Sequence, residues 1–315
     1  MIRQNVSLKD YSNYKIGGNA SYFLEVKTKE DLIEGLREWQ EIVKSLPDDE
    51  KKVFILGGGT NILFSDEGFK GLVIKDSIEI IELDGDRVIC GSGVLITQFL
   101  DFCVANSLSG FEWAGGLPGT VGGAVRGNAG AFAGETKDNI LTVTSLNLNN
   151  LEIVERNKEQ CEFSYRSSIF KTIATDELII SASFVLQKGN QAEIKKSINE
   201  KAEFRKVKHP LENPNAGSVF KNIPFAIIPE ELKPELSQYL KNDPFQVIPA
   251  AKIIFLTGLK GRQVGDAMVS EKHTNFIINL GNATAKDVDA LIAIIKREVE
   301  QKYGILLEEE IMCLT

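Results

Sequence analysis

The sequence predicts a mixed α/β protein built from about two domains. Segments with apolar residues at helical spacing alternate with short runs that are rich in β-branched residues, which is typical of this class. The chain has 315 residues, whereas an average domain has about 150. Its apolar fraction of 43% and charged fraction of 25% are those of an ordinary globular chain, which argues against a disordered or fibrous protein.

Apolar periodicity predicts three helices, within residues 28–46, 95–106 and 284–303. A Thr-x-x-Asp start signal opens the first and the third. The third is the clearest, because its apolar residues form one stripe between the cap Thr284 and the stop signal Gly304.

Short apolar runs bounded by Gly, Asp or Asn predict strands. They lie at residues 53–56, 71–74, 87–90, 141–148, 178–186 and 275–279. A charged amphipathic segment, residues 193–208, follows the fifth of these strands, and the main domain boundary is predicted near residue 200.

Charge and composition exclude several kinds of site. The net charge of −8 argues against a broad basic surface, so we expect no nucleic-acid partner. Four cysteines without a C-x-x-C pair indicate reduced thiols, and two histidines are too few for a three-histidine zinc centre, so we predict no metal. No apolar run approaches the ~20 residues of a membrane span and no signal peptide is recognisable, which predicts a cytoplasmic protein.

A first glycine-rich loop, Gly-Gly-Gly-Thr-Asn at residues 57–61, directly follows the apolar run 53–56. Glycines at the end of a strand let backbone amides approach phosphate oxygens closely. The Gly-Lys-Ser/Thr of a P-loop does not follow, which argues against a kinase or ATPase of that type. A tight turn between two strands is the alternative, and a glycine triplet alone favours it.

A second glycine-rich loop spans residues 110–134 and holds nine glycines in 25 residues. Because so little side-chain volume is present, either a ligand or another chain segment must pack against this backbone. Its glycine spacing differs from the Rossmann G-x-G-x-x-G, which disfavours a doubly wound NAD domain. Two such loops suit a long ligand whose pyrophosphate is held by backbone amides from both sides.

Five motifs occur in order along the chain: ILGGGTNILFSDEGFKGLVI, GLPGTVGGAVRGNAGAFAGE, FSYRSSIFK, NAGSVFKN and GLKGRQVGDAMVSEKHTNFIIN. Together they closely resemble the UDP-N-acetylenolpyruvoylglucosamine reductases (UDP-N-acetylmuramate dehydrogenases), flavoproteins of bacterial peptidoglycan synthesis. The resemblance runs from about Asn13 to Glu310. The glycine loops alone would indicate only the wider fold of vanillyl-alcohol-oxidase-type FAD enzymes, and the motifs after residue 160 select the reductase.

The resemblance implies a two-part FAD-binding module and a C-terminal α+β substrate domain. The expected regions are residues 1–75 with the first glycine loop, 76–200 with the second, 201–304 for substrate, and a tail, 305–315, that returns to the active site. It further implies reduction of UDP-N-acetylglucosamine enolpyruvate to UDP-N-acetylmuramate with non-covalent FAD and NADPH as co-substrate. A flavin oxidase or dehydrogenase of the same fold with another substrate is the alternative. The resemblance assigns no oligomeric state.

Three residues match the catalytic positions of the family. Arg166 would bind the enolpyruvyl carboxylate through its planar fork. Ser218 would donate a proton to the carbanion. Glu310, if protonated, would donate a hydrogen bond to the enediolate. Glu308 is a rival for this last role, because alternation puts it on the same face and Glu309 replaces the usual proline.

The remaining positions are assigned by the same resemblance. Either Lys206 or Lys208 would face the substrate diphosphate. Substrate contacts are expected from Tyr165, Lys221, Asn222 and His273, although a core role for His273 is as well supported. Cofactor contacts are expected from Gly57, Gly58, Gly59, Thr60, Asn61, Gly115, Gly116, Thr120, Gly122, Gly123 and Ala124.

Overall fold

The computed structural model describes residues 1–314, so Thr315, the last residue of the predicted tail, lies outside the described part. The described residues form eight α-helices: α1 (Lys29–Ile42), α2 (Ile96–Ala105), α3 (Val121–Gly127), α4 (Ile169–Thr172), α5 (Gln191–Lys208), α6 (Lys233–Leu236), α7 (Ala250–Leu256) and α8 (Ala285–Tyr303). Within residues 1–314, no helix has the length and apolarity needed to cross a membrane.

The strands are mostly short. They are β1 (Arg3–Ser7), β2 (Asn19–Val26), β3 (Val53–Leu56), β4 (Ile62–Phe64), β5 (Phe69–Asp76), β6 (Ile81–Asp84), β7 (Arg87–Gly91), β8 (Leu108–Ser109), β9 (Gly130–Ala131), β10 (Gly134–Glu135), β11 (Ile140–Asn147), β12 (Ile153–Asn157), β13 (Glu177–Val185), β14 (Gln187–Lys188), β15 (Ile223–Pro224), β16 (Lys241–Asn242), β17 (Gln246–Ile248), β18 (Gln263–Val264), β19 (Ala267–Val269), β20 (Ile277–Asn279) and β21 (Met312–Leu314). The mixed α/β class predicted from the sequence is confirmed.

The three predicted helices correspond to α1, α2 and α8. Capping boxes open α1 and α8, where the Thr28 and Thr284 hydroxyls each accept a hydrogen bond from the backbone of an aspartate three residues on. Gly304 ends α8 in the left-handed conformation, with φ of 62°. These boundaries were predictable because capping depends on residues that are neighbours in sequence.

All six predicted strands are present within a few residues of their expected bounds. Several others were not predicted, among them β1, β6 and β12, which lie at the edges of their sheets. These three have no buried residue, so none has the apolar buried face whose residues predict a strand.

The second glycine-rich loop is only partly a loop. Residues 121–127 form α3, and Thr120 caps this helix by accepting a hydrogen bond from Gly123 N at 3.3 Å. Three of its seven residues are glycine, which has a low helix propensity, so the sequence does not predict this helix. The structure therefore corrects the expectation of a continuous loop.

The chain divides into two compact units. Unit 1 comprises residues 1–6, 20–58 and 70–205, and unit 2 comprises residues 7–19, 59–69 and 206–315. These units are defined by contacts within the chain, whereas the four regions predicted from the sequence are defined by the ligand that each would bind. The four functional regions therefore stay a prediction.

Unit 1 contains two main sheets. One is a five-stranded antiparallel sheet with the order β12-β11-β13-β7-β6, and the other has the order β1-β2-β5-β3 with β3 parallel to β5. Two apolar clusters fill this unit, one of which includes Val121 and Val125 of α3. The second glycine-rich segment is therefore anchored on a buried core.

Unit 2 has one apolar cluster, in which the buried stripe of α8 packs. Its small sheets have the orders β15-β17-β16 and β18-β19-β20. The C-terminal strand β21 pairs in parallel with β4, which brings the chain end beside the segment that follows the first glycine loop.

Candidate active site

The two glycine loops meet within unit 1. A Cβ added to Gly58 would lie 2.8 Å from the Cα of Gly119, and one added to Gly57 would lie 3.0 Å from Thr120 Oγ1. Gly119 itself has a φ of 107°, which only glycine adopts readily. Glycine is therefore required here so that two backbones can approach each other.

Another chain segment explains two further glycines of the second loop. A Cβ on Gly115 would overlap the carbonyl of Ile198, and one on Gly116 would lie 2.9 Å from Ala202 Cα. Both neighbours belong to α5, the predicted charged segment. The sequence left open whether a ligand or another chain segment packs against this backbone. At Gly115 and Gly116 the neighbour is a chain segment, the helix α5. Gly122 similarly packs against Ser92, at 2.8 Å between the added Cβ and the Ser92 Cβ.

Open space remains in front of Gly123. A Cβ there would have only Thr120 Oγ1 nearby, at 3.6 Å, and this hydroxyl is also the nearest atom to Gly57. Gly57 and Gly123 thus both lie beside the buried Thr120 hydroxyl, and no other side chain lies within 4 Å of a Cβ added to either. The open backbone beside this hydroxyl leaves room for the diphosphate of a dinucleotide, a group that backbone N–H groups commonly bind.

In unit 2, Gly59 and Asn61 are occupied by structural contacts. Gly59 has a φ of 64°, and a side chain there would overlap the Tyr11 carbonyl. Asn61 Nδ2 donates to the carbonyl oxygen of Glu310 at 3.1 Å, and its own carbonyl accepts from Met312 N. The end of the first glycine loop, at Asn61 directly after Thr60, is thus attached to the C-terminal tail.

Arg166 lies at the corner of a tight turn in unit 1. Ser164 and Ser167 form an antiparallel bridge, and Arg166 between them has a φ of 56°. Its Nη1 donates to the carbonyl oxygen of Gly130 at 2.9 Å, and its guanidinium lies 5.5 Å from the centre of the Tyr165 ring. Two contacts therefore orient the guanidinium, and Tyr165 packs against it.

Ser218 follows a short turn in unit 2. Gly217 has a φ of 79°, and its amide donates to Asn215 Oδ1 at 2.9 Å, which closes an Asx turn. On the other side, Phe220 N donates to Asn275 Oδ1 at 3.0 Å. The half-buried Ser218 thus lies between two anchored residues.

The C-terminal tail pairs with this segment. Glu310 N donates to the Val219 carbonyl at 2.7 Å, and Phe220 forms an antiparallel bridge with Glu309. Glu310, which is half-buried, is therefore placed one residue from Ser218 across the pairing. The structure brings these two predicted residues together from positions far apart in sequence.

The rival Glu308 is differently placed. Its side chain is 72% exposed and forms an ion pair with Lys221. Lys221, predicted to contact substrate, therefore has a carboxylate partner in this structure. Glu309, where the family usually has proline, pairs with Lys296 at 3.0 Å. The neighbouring acidic residues thus have exposed or structural partners, and Glu310 is the one beside Ser218.

The remaining predicted substrate residues lie elsewhere in unit 2. Asn222 accepts a hydrogen bond from Ala250 N at the start of α7, at 3.2 Å. His273 packs edge-on against His209 and Phe276, with ring centres 5.4 and 4.8 Å apart. Burial, and then the neighbouring His209, lower the pKa of His273 to about 4, so it is neutral at pH 7.

Of the two candidate lysines, Lys206 has a backbone contact that the structure defines. Its carbonyl oxygen accepts a hydrogen bond from Lys272 Nζ at 3.0 Å. Lys208 is the last residue of α5 and is exposed. The choice between them as a diphosphate contact stays a prediction.

Sequence reasoning did not single out Asn128, Asn275 or Arg205. Asn128 is completely buried. Asn275 holds the Ser218 segment through its side-chain amide, whose oxygen accepts from Phe220 N and whose nitrogen donates to the Phe220 carbonyl. Arg205 is also buried and donates to the carbonyls of Gly115 and Trp113. Asn128 and Asn275 are polar residues within the motifs and Arg205 is one of many charged residues in segment 193–208, and such a signal does not separate a structural hydrogen bond from a ligand contact.

Comparisons with known proteins agree with this arrangement. Residues 31–155 match the sequence model of the FAD binding domain family. Residues 209–314 match the model described as UDP-N-acetylenolpyruvoylglucosamine reductase, C-terminal domain. The first match covers both glycine loops, and the second covers the Ser218 and Glu310 segments.

Two curated relatives align over almost the whole chain. The UDP-N-acetylenolpyruvoylglucosamine reductase of Lachnoclostridium phytofermentans is 39% identical over 313 residues, which is 98% of this chain and 91% of the relative. That of Caldanaerobacter subterraneus is 37% identical over 308 residues, again 98% and 91%. The crystal structure of the reductase from Thermus caldophilus superposes with a TM-score of 0.76 at 30% identity, covering 100% of both chains. The chain therefore belongs to the UDP-N-acetylenolpyruvoylglucosamine reductase family.

Proposed function

We propose that this chain catalyses the NADPH-dependent, FAD-mediated reduction of UDP-N-acetylglucosamine enolpyruvate to UDP-N-acetylmuramate, a step of peptidoglycan precursor synthesis. Family membership supports the activity. The roles of Ser218 and Glu310 in this proposal rest on one observation. The tail pairs with the Ser218 segment, with 2.7 Å from Glu310 N to Val219 O. This pairing supports the proposal because it joins the backbones of the two segments that carry the predicted hydroxyl and carboxyl groups.

The FAD diphosphate would lie along the backbone of the two glycine loops. Gly57 and Gly58 would donate their amides to it, and the open space in front of Gly123 would receive it beside the buried Thr120 hydroxyl, which accepts the Gly123 amide. FAD supplies hydride transfer between NADPH and the substrate. Because neither histidine lies in a glycine loop, we propose that the flavin is bound non-covalently.

The protein would act on the charge that develops in the substrate. Arg166 would bind the carboxylate and stay protonated throughout, so it stabilises the enediolate as negative charge grows there. Ser218 Oγ would donate a proton to the carbon next to that carboxylate. Glu310, in its protonated form, would donate a hydrogen bond to an enediolate oxygen.

Partner and location are proposed at a finer level than the family shows. The substrate is a UDP-sugar, and we expect neither nucleic acid nor a membrane span, in line with the net charge of −8. The reaction is expected in the cytoplasm. Substrate contacts by Tyr165, Lys221, Asn222 and His273 remain part of the proposal.

Anaerobic stopped-flow kinetics of Ser218→Ala test the proposal. Flavin reduction by NADPH should stay within about twofold of the unaltered enzyme, whereas reoxidation by the enolpyruvyl substrate should slow by about 10²–10⁴, the usual contribution of a general acid. Ser237→Ala is the matched control, because that hydroxyl donates only to the Pro234 carbonyl at 3.0 Å. Unchanged reoxidation in Ser218→Ala would contradict the proton-donor role.

A further inference from the structure

The second glycine-rich segment ends in a short hairpin that carries an aromatic residue at its tip. We call residues 130–135 the aromatic hairpin. Strands β9 and β10 pair through Ala131 with Gly134 and Gly130 with Glu135, which leaves a two-residue turn. Phe132 and Ala133 form this turn with φ of 52° and 63°. Such turns normally contain Asn and Gly, because other residues are strained at positive φ.

Contacts with α5 hold the tip of the hairpin. The Phe132 ring lies edge-on to Phe204, with ring centres 5.3 Å apart, and 5.1 Å from the guanidinium of Arg205. Arg205 is fixed in turn, since it is buried and donates to the carbonyl of Gly115. An aromatic side chain in a strained turn position is thus retained by an edge-to-face contact and a cation–π contact.

A close backbone contact fixes the second strand of the hairpin. A Cβ on Gly134 would overlap the ring of the buried Trp113. The hairpin therefore lies directly on the indole, and its second strand is packed between the tip and the base.

The base of the hairpin holds the turn that carries Arg166. The Gly130 carbonyl accepts the hydrogen bond from Arg166 Nη1 at 2.9 Å. Asn128 Nδ2 donates both to Glu135 Oε1 and to the carbonyl of Ser164, each at 3.0 Å. Asn128 is completely buried, so these bonds are shielded from water. The guanidinium and the backbone of its turn are therefore both attached to the hairpin.

We propose that the aromatic hairpin is a positioning element for Arg166, and that Phe132 is the positioning residue that keeps it in place. The guanidinium is a rigid fork, so fixing one nitrogen on Gly130 sets the plane in which the others meet a carboxylate. The inference rests on the proposed function, because it needs Arg166 to bind the enolpyruvyl carboxylate. Phe132 itself acts through Gly130 and touches no reacting atom.

Calorimetric titration of two ligands into the FAD-loaded enzyme without NADPH tests the proposal. The enolpyruvyl substrate has the carboxylate, and UDP-N-acetylglucosamine lacks it. Phe132→Ala should weaken binding of the enolpyruvyl substrate about tenfold and change binding of UDP-N-acetylglucosamine less than twofold. Phe132→Tyr, which keeps the ring, should restore both affinities. Phe204→Ala removes the exposed aromatic residue of α5 that contacts Phe132. It should also weaken binding of the enolpyruvyl substrate selectively, but by a smaller factor.

Two further variants separate the possible outcomes. Phe255→Ala is the matched control, because Phe255 is an exposed aromatic residue of unit 2 that lies 5.0 Å from Lys252 Nζ; both affinities should be unchanged. Arg166→Ala should lose affinity only for the enolpyruvyl substrate. If it does so while Phe132→Ala and Phe204→Ala do not, the positioning role is overturned and the proposed function stands. If Arg166→Ala does not discriminate between the ligands, the proposed role of Arg166 fails, and the inference with it. If Phe132→Ala lost affinity equally for both ligands, the inference would also be overturned, since this would indicate a general structural effect.

Discussion

At the scale of single residues, hydrogen-bonding partners distinguish the two candidate glutamates. The Glu310 backbone pairs with Val219, beside Ser218, whereas the Glu308 side chain points to solvent and pairs with Lys221. An exposed ion pair of this kind contributes less than about 1 kcal/mol to stability. The two residues have the same chemistry and differ in surroundings, so they form a natural pair of variants.

We expect Glu310→Gln to slow flavin reoxidation by the enolpyruvyl substrate by about 10² or more, because the amide cannot supply the acidic hydrogen bond proposed for the enediolate. Glu308→Gln should stay within about threefold. Reduction of the flavin by NADPH, followed in the same stopped-flow experiment, should be unaffected in both. A large defect in Glu308→Gln with none in Glu310→Gln would reverse the assignment.

At the scale of elements, the glycine-rich segments serve two physical purposes. Gly115, Gly116 and Gly122 allow backbone packing against α5 and Ser92, so they would be glycine with or without a ligand. Gly57 and Gly123 instead border open space around the Thr120 hydroxyl. Glycine enrichment by itself therefore does not distinguish close backbone packing from ligand contact, and only the second group has open space in front of it.

Gly58→Ala should weaken FAD binding at least tenfold, since its Cβ would lie 2.8 Å from Gly119 Cα and push the two loops apart. Fluorescence titration of the apoprotein with FAD measures this affinity. Gly127→Ala is the contrasting variant: it lies in α3 with nothing within 4 Å of the added Cβ. It should stabilise the apoprotein by about 0.5–1 kcal/mol in chemical denaturation, as expected for Gly to Ala within a helix. Unaltered FAD affinity in Gly58→Ala would show that the loops need not touch for binding.

At the scale of the whole molecule, segments distant in sequence build each unit. Unit 2 combines residues 7–19 and 59–69 with the C-terminal part of the chain, and unit 1 contains the rest. The first glycine loop is divided accordingly, with Gly57 and Gly58 in unit 1 and Gly59 to Asn61 in unit 2. Cofactor binding to the native state should stabilise it by mass action.

FAD at 100 times its Kd should stabilise the native state by about 2.7 kcal/mol. Thermal unfolding at increasing FAD concentration measures this as a rising Tm. Riboflavin, which lacks the diphosphate, is the matched ligand and should raise Tm far less if the glycine amides hold that group.

Acid precipitation of the holoprotein should leave all flavin in the supernatant, because the proposed flavin is bound non-covalently. Flavin retained in the pellet would contradict non-covalent binding.

The sequence by itself determined the features that depend on neighbouring residues. The capping boxes of α1 and α8, the apolar stripe of α8, the six predicted strands and the ordered motifs of the family could all be recognised without coordinates. Each depends on residue types at short spacing, whose physical effect is local. The identities of Arg166, Ser218 and Glu310 as candidates likewise came from short motifs.

Only the tertiary structure decided which residues are neighbours across long separations. It paired the tail with the Ser218 segment, assigned several glycines to packing against α5, and attached Arg166 to the Gly130 carbonyl. The helix α3 and the edge strands also appeared only there. These features arise from burial and backbone pairing between distant segments, and a glycine or a glutamate has the same appearance in sequence whatever packs against it.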